Sequence, residues 1–344
     1  MNKLFLLLSI AAVMFGTSEG LLASEMMPSQ KHGVTKASDI KWASPRGFDL
    51  TMDIYTPQTG RKKYPVIIMY HGGGWLINNK SIMDEASTWL AGNGEYVVCN
   101  VNYRLLGDLE NSVTMDEIIG DAFGALLWVK ENIKKYGGDR KKITVTGDSA
   151  GGHLATMVAT QGHRVAADAE FTAPDYQFKP SYVPVNGVSR KKLEVQAALI
   201  SYGAFDMLSS AKGGFETSGN VFWQMSGTEA RGLFGEEFNP NDHADRYRAV
   251  SPIYNIRKAS KGSYPRMLFT VGADDKVTTP ASIKVYTDKL KAAGQIDHKY
   301  WMYAGRPHAF LDSGTNEFLG IEFKRDAIPA LEYMLKWLDG VFYA

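Results

Sequence analysis

Polar and apolar residues alternate at 39–42 and again at 49–54. That period of two is expected of strands with one wet face, and both segments read as edge strands. Further along the pattern changes. Residues 66–70, 96–101, 143–146, 197–202 and 267–271 are short, mostly apolar runs, as in strands buried on both faces. Helical patterns separate them. Ile118, Ala122, Ala125, Leu126, Val129 and Ile133 recur at spacings of three and four, with charges on the opposite face, and Gly137-Gly138 should stop that helix. Residues 281–293, closed by Gly294, and 321–338 read as two more helices. Strands alternating with helices predict a mostly parallel sheet with helices on both faces. Residues 160–194 and 208–262 break the rhythm: the first is polar and irregular, and the second is glycine-rich and carries Phe222, Trp223 and Phe234. Both are expected as insertions over a binding site, because long excursions from strand ends commonly shape one. The pattern gives one α/β domain, residues 35–344, with insertions.

Composition narrows the partners. Of 344 residues 44% are hydrophobic and 22% charged, a globular balance. Lysine plus arginine total 38 and aspartate plus glutamate 37, so nothing in the charge points to nucleic acid or an anionic membrane surface. Cys99 is the single cysteine, which excludes an intrachain disulfide and a cysteine zinc site. At the start, Lys3 precedes an apolar run, 4–15, interrupted only by Ser9, and small and polar residues follow at 16–20. This is the order of a secretory signal peptide, here 1–24 with cleavage somewhere in 16–24, and the run is too short to span a bilayer of ~30 Å. The mature chain is expected to be secreted or periplasmic, and off the membrane.

Gly147-Asp148-Ser149-Ala150-Gly151 fits G-x-S-x-G, between the strand-like 143–146 and a helical stretch, 152–160. A strand–turn–helix with those glycines pushes the serine out at the tip of a strained turn. Ser149 is therefore the candidate nucleophile. His71-Gly72-Gly73-Gly74-Trp75 directly follows the run ending at Tyr70. Glycines there let backbone N–H groups approach an oxyanion, and the expected donors are Gly73, Gly74 and Ala150. A serine nucleophile needs a base. His308, in the loop after the strand-like 299–303, can reach it, whereas His298 stands at the far end of that strand. His71, beside Trp75, is expected to hold the oxyanion loop in shape and His153 to pack. His32 precedes the fold, and His163 and His243 read as solvated. The base needs an orienting carboxylate from Gly272-Ala273-Asp274-Asp275, after the strand ending at Val271. Spacing favours Asp275 over Asp274, with Asp206 as an outside candidate. The order serine, aspartate, histidine suits this architecture.

These residues resemble the α/β-hydrolase superfamily, and within it the carboxylesterase branch that pairs H-G-G-G-W with G-D-S-A-G-G. The resemblance spans roughly residues 35–340. Through Asp53-Ile54-Tyr55-Thr56-Pro57 and the 147–153 stretch, the chain is also similar to small secreted acetyl xylan and feruloyl esterases of bacteria. It implies Ser149, Asp275 and His308 as nucleophile, acid and base, no metal or organic cofactor, and an ester substrate, acetyl or feruloyl, on plant cell-wall polysaccharide such as xylan. Two motifs depart from the pattern: the acid loop reads D-K-V-T-T-P rather than D-x-x-V-P, and Arg306 stands where a small residue is common. The alternatives are an amide hydrolase of the same fold and a non-catalytic binding protein. A peptidase of this fold would carry a large N-terminal domain, and a binding protein would lack the nucleophile or base.

Overall fold

Eight strands form a single sheet in the computed structural model, which describes residues 30–344. The expected signal segment, 1–24, lies outside the described residues. In chain order the strands are β1 (Val34–Ala43), β2 (Leu50–Pro57), β3 (Tyr64–Tyr70), β4 (Val97–Val101), β5 (Gly138–Asp148), β6 (Ala197–Ser201), β7 (Arg266–Gly272) and β8 (His298–Tyr303). Across the sheet they run β1-β2-β4-β3-β5-β6-β7-β8. β1 and β2 are antiparallel to their neighbours, and from β4 onward every pair is parallel. The continuous apolar runs become β3 to β7, buried on both faces by helices, as their lack of alternation demands.

One reading of the pattern needs correcting. β2 is not an edge strand: it sits between β1 and β4. Its polar Asp53 is buried and held by Lys36 at 2.9 Å and Lys80 at 2.8 Å. The alternation at Asp53 reflected a buried carboxylate held by lysines that reach the surface, not a solvated side chain.

The longer helices are α1 (Asp84–Asn93), α2 (Met115–Asn132), α3 (Ala150–Thr160), α4 (Pro280–Ala292) and α5 (Ile328–Phe342). Glu117 accepts the Thr114 N–H at 3.0 Å and fixes the start of α2. Gly137, at φ +79°, ends the turn that follows it. The charged face expected of α2 is covered. The first insertion packs along it, so closely that a Cβ on Gly120 would stand 2.3 Å from the Lys179 carbonyl. Asp121 is fully buried there and bound by Arg104 at 2.7 Å. The last helix starts later than expected. Residues 321–327 form a short strand and a wide turn, and α5 begins at Ile328 with Pro329 in its first turn. Proline suits that place, where its missing N–H would have no helical partner.

Parallel register brings the working loops together. Tyr70 of β3 pairs with Gly147 of β5, Asp148 with Ser201 of β6, and Gly272 of β7 with Tyr303 of β8. The loops leaving these strands therefore emerge side by side, at the edge where sheets of this kind bind ligands.

Candidate active site

Ser149 sits at φ +52°, ψ −115°, a conformation L-residues rarely adopt. Close packing enforces it. A Cβ on Gly151 would lie 1.9 Å from the Tyr70 carbonyl, and one on Gly147 2.3 Å from the Gly151 carbonyl. The Ser149 N–H donates to the Ser201 carbonyl at 3.0 Å and its own carbonyl accepts from His153 N at 3.1 Å. The backbone is thus locked on both sides, and the side chain is what remains free to act.

Three side chains converge here. The Ser149 hydroxyl donates to His308 Nε2 at 2.9 Å, and His308 Nδ1–H donates to Asp275 Oδ2 at 2.8 Å. All three residues are buried: Ser149 is 7% exposed, His308 9% and Asp275 3%. Asp275 is oriented by the N–H groups of Val277 (2.8 Å) and Thr278 (3.0 Å). The neighbouring Asp274 is exposed, and its backbone N–H is taken by the Arg306 carbonyl. Of the two aspartates the sequence offered, geometry joins Asp275 to the imidazole. Asp206 is engaged elsewhere, capping a short helix through Ser209 N (2.9 Å) and accepting from the Tyr254 hydroxyl (2.9 Å).

The departure in the acid loop has a local reason. Thr278 occupies the place where valine is frequent, and its hydroxyl donates to the Tyr202 carbonyl at 2.7 Å while lying 3.2 Å from Asp275 Oδ2. Arg306 is also accounted for. Its Nε pairs with Asp326 at 2.9 Å, and its guanidinium lies 5.2 Å from the Tyr303 ring centroid.

The loop after β3 lies against the serine turn, because the Gly151 position also faces the His71 carbonyl, at 2.7 Å from a Cβ placed there. Gly73 and Gly74 have φ of +119° and +60°. Among the described residues their N–H groups donate to no protein acceptor. Ala150 is the first residue of α3, so its N–H has no acceptor within that helix. His71 is buried, stacked on Tyr103 at 4.4 Å, with Nδ1–H on the Gly72 carbonyl at 2.7 Å. The Tyr103 hydroxyl donates to the His71 carbonyl at 2.6 Å. Trp75 is buried edge-on to His153 at 5.3 Å and to Phe215 at 5.6 Å. His153 packs as expected, its Nε2–H on the Val250 carbonyl at 2.8 Å. His298 stays at the far end of β8, bonded to the Gln295 carbonyl. His163 is exposed, but His243 is half-buried against the Phe238 ring at 5.1 Å, not free in solvent.

Sequence reasoning missed three neighbours. Tyr202 stands edge-on to the His308 ring at 4.8 Å. Phe222, from the second insertion, rests on Gly74. Asp148 is buried with its carboxylate against Gly72, where a Cβ would stand 2.3 Å from Oδ2. Burial lifts the Asp148 carboxyl to about 6, partly opposed by His308 and the Gly72 backbone. Its place inside G-D-S-A-G was the one available signal.

Burial also pushes His71 and His153 down to about 4. His153 shows why: Nδ1 is buried without a partner, so a proton there would be unsatisfied. Below pH ~6.5 the unfolded chain takes up protons that the folded histidines refuse, so stability should fall between pH 6.5 and 4 by about 3 kcal/mol per histidine. Asp148 acts with the opposite sign, because its folded pKa lies above the unfolded one. Its contribution is lost as pH rises through the window from 3.8 to about 6. Asp312 shares that sign, since burial and then the neighbouring Asp148 hold its carboxyl well above the ordinary value, so the two aspartates oppose the two histidines. Urea unfolding at pH 7 and pH 4.5 isolates the histidine part: His153→Gln should remove about 2 kcal/mol of acid destabilisation between those two pH values.

Comparison with known proteins agrees with this architecture. A family model, BD-FAE, matches residues 52–290. The chain belongs to the BD-FAE family. The match includes Ser149 and Asp275 and ends before His308, which the fold supplies. BD-FAE membership accompanies similarity to carboxylesterase NlhH of Mycobacterium tuberculosis, 35% identical over 111 residues, covering 32% of this chain and 34% of that protein. Esterase LipQ of the same organism is 26% identical over 322 residues, 89% of this chain and 67% of LipQ. The first of these matches thus spans about a third of the relative's length. Among solved structures, Thermogutta terrifontis esterase 2 phosphorylated by paraoxon superposes with a TM-score of 0.61 at 20% identity, covering 92% of this chain and 96% of that one. The BD-FAE chain therefore has the α/β-hydrolase fold of known esterases.

Proposed function

We propose that this protein is a serine carboxylic ester hydrolase. The observation that carries the reading is the hydrogen-bonded chain Ser149–His308–Asp275, at 2.9 and 2.8 Å. In this mechanism Ser149 Oγ attacks the ester carbonyl while His308 Nε2 takes its proton. Asp275 holds Nδ1–H and stabilises the imidazolium. Gly73, Gly74 and Ala150 offer N–H groups to the oxyanion, where loss of one such donor costs about 2.7–4 kcal/mol. The alcohol leaves with the proton from His308. Water then attacks the acyl-enzyme through the same base and releases the acid.

The finer reading is removal of acetyl or feruloyl groups from plant cell-wall polysaccharide such as xylan, by a secreted or periplasmic enzyme. It is supported by the leader pattern at residues 1–24, by BD-FAE membership and by the aromatic residues of the second insertion. Purified protein should release acetate, ferulate or both from acetylated and feruloylated xylan, measured side by side by chromatography. Release of neither acid, from a protein that hydrolyses 4-nitrophenyl acetate, would remove the polysaccharide assignment and leave the esterase.

A further inference from the structure

A short helix, Val221–Ser226, projects from the second insertion beside the oxyanion loop. The Asn220 side chain accepts the Phe222 N–H at 3.0 Å and fixes its start. Trp223 is 1% exposed and anchors it. Phe222 turns the other way. Its ring lies so close to Gly74 that a Cβ there would stand 2.6 Å from Cγ and under 3 Å from both Cδ atoms. Phe215, itself edge-on to Trp75, backs the ring at 6.5 Å. Beside it Val221 is 53% exposed and Met225 64%. At ~100° per residue, positions 221, 222 and 225 fall in one sector of the helix. An apolar face, half of it in solvent, thus borders the loop whose amides await an oxyanion. Packing explains Trp223 and one side of the Phe222 ring but not the exposed Val221 and Met225.

The reaction decides which part of an ester would meet it. A leaving alcohol must take its proton from His308 Nε2 and so lies on the His308 side of Ser149. The carbonyl oxygen faces the Gly73–Gly74 amides. The substituent left to extend past Gly74 is the acyl group. Resting on the ester hydrolase reading above, we propose that Phe222, with Val221 and Met225, forms the acyl wall and makes the enzyme prefer esters of bulky apolar or aryl acids over acetyl esters. Gly74 belongs to the same device: a side chain at that position would occupy the space of the Phe222 ring.

The test uses two esters with a common leaving group, 4-nitrophenyl acetate and 4-nitrophenyl 3-phenylpropanoate. The wild type should show the higher kcat/KM on the aryl acid ester. Phe222→Ala should lower the aryl-to-acetyl ratio of kcat/KM by about tenfold, the scale of an apolar group lost from a pocket, mostly through KM. Phe222→Leu should keep most of the preference. Val221→Ser with Met225→Ser, at exposed positions that do not threaten folding, should lower the ratio severalfold. A ratio within twofold of wild type in all of these active variants overturns the acyl wall alone. An equal fall in kcat on both esters, with KM unchanged, also overturns it, since Phe222 would then only brace Gly74. Wild-type protein inactive on both esters overturns the hydrolase reading and the wall with it.

Discussion

Replacing Ser149 by alanine is expected to lower kcat on 4-nitrophenyl acetate by roughly 10⁴- to 10⁶-fold, the range seen when an acting nucleophile is removed. The fold should survive. The backbone at Ser149 is fixed by Ser201, His153 and the Gly151 approach to Tyr70, none of which uses the hydroxyl. Circular dichroism and the urea midpoint should stay near wild type, which separates lost chemistry from lost structure. The same substitution should abolish covalent labelling by paraoxon, because an activated Oγ is the atom that would attack phosphorus. Turnover within tenfold of wild type, or labelling that persists in Ser149→Ala, would refute the assignment.

The second large effect concerns a choice between adjacent residues. Asp275→Asn is expected to cut kcat by about 10⁴-fold, because an amide presents N–H groups to Nδ1 and favours the wrong imidazole tautomer. Asp274→Asn should change kcat less than about twofold, as expected of an exposed side chain away from the imidazole. The asymmetry follows from burial and from the N–H groups of Val277 and Thr278, which aim Asp275 and not Asp274. Steady-state kinetics on the two variants settles it, and the reverse order would move the acid by one residue.

Much of the sheet could be read from the chain because continuous apolar runs have few homes other than a strand covered on both faces. The serine turn was legible for a similar reason: glycines at 147 and 151 are demanded by backbone contacts that no other residue fits. His308 could be chosen because only a loop at the right end of β8 reaches Ser149. Other features depended on distant partners. Asp53 looked like a solvated position, and only Lys36 and Lys80, from other elements, make it a buried one. The outer face of α2 looked wet until the first insertion covered it. Residues 321–327 have helical periodicity, yet Pro329 and the Arg306–Asp326 pair shape that segment differently. Phe222 was visible as an aromatic residue in an irregular stretch, but nothing local said that it would lie on Gly74, 148 positions earlier in the chain.

The Arg306–Asp326 pair has a consequence for the order of events during synthesis. It ties the loop bearing the imidazole to the turn that leads into the final helix. Ser149 leaves the ribosome 159 residues ahead of His308, so a growing chain carries the hydroxyl long before it carries the group that would activate it. Asp275 and Tyr202 already flank the imidazole, and the Arg306–Asp326 pair is added only when the segment beyond His308 has emerged. A chain cut between His308 and Asp326 would carry both hydroxyl and imidazole but lack the ion pair that links the imidazole loop to the turn before the final helix.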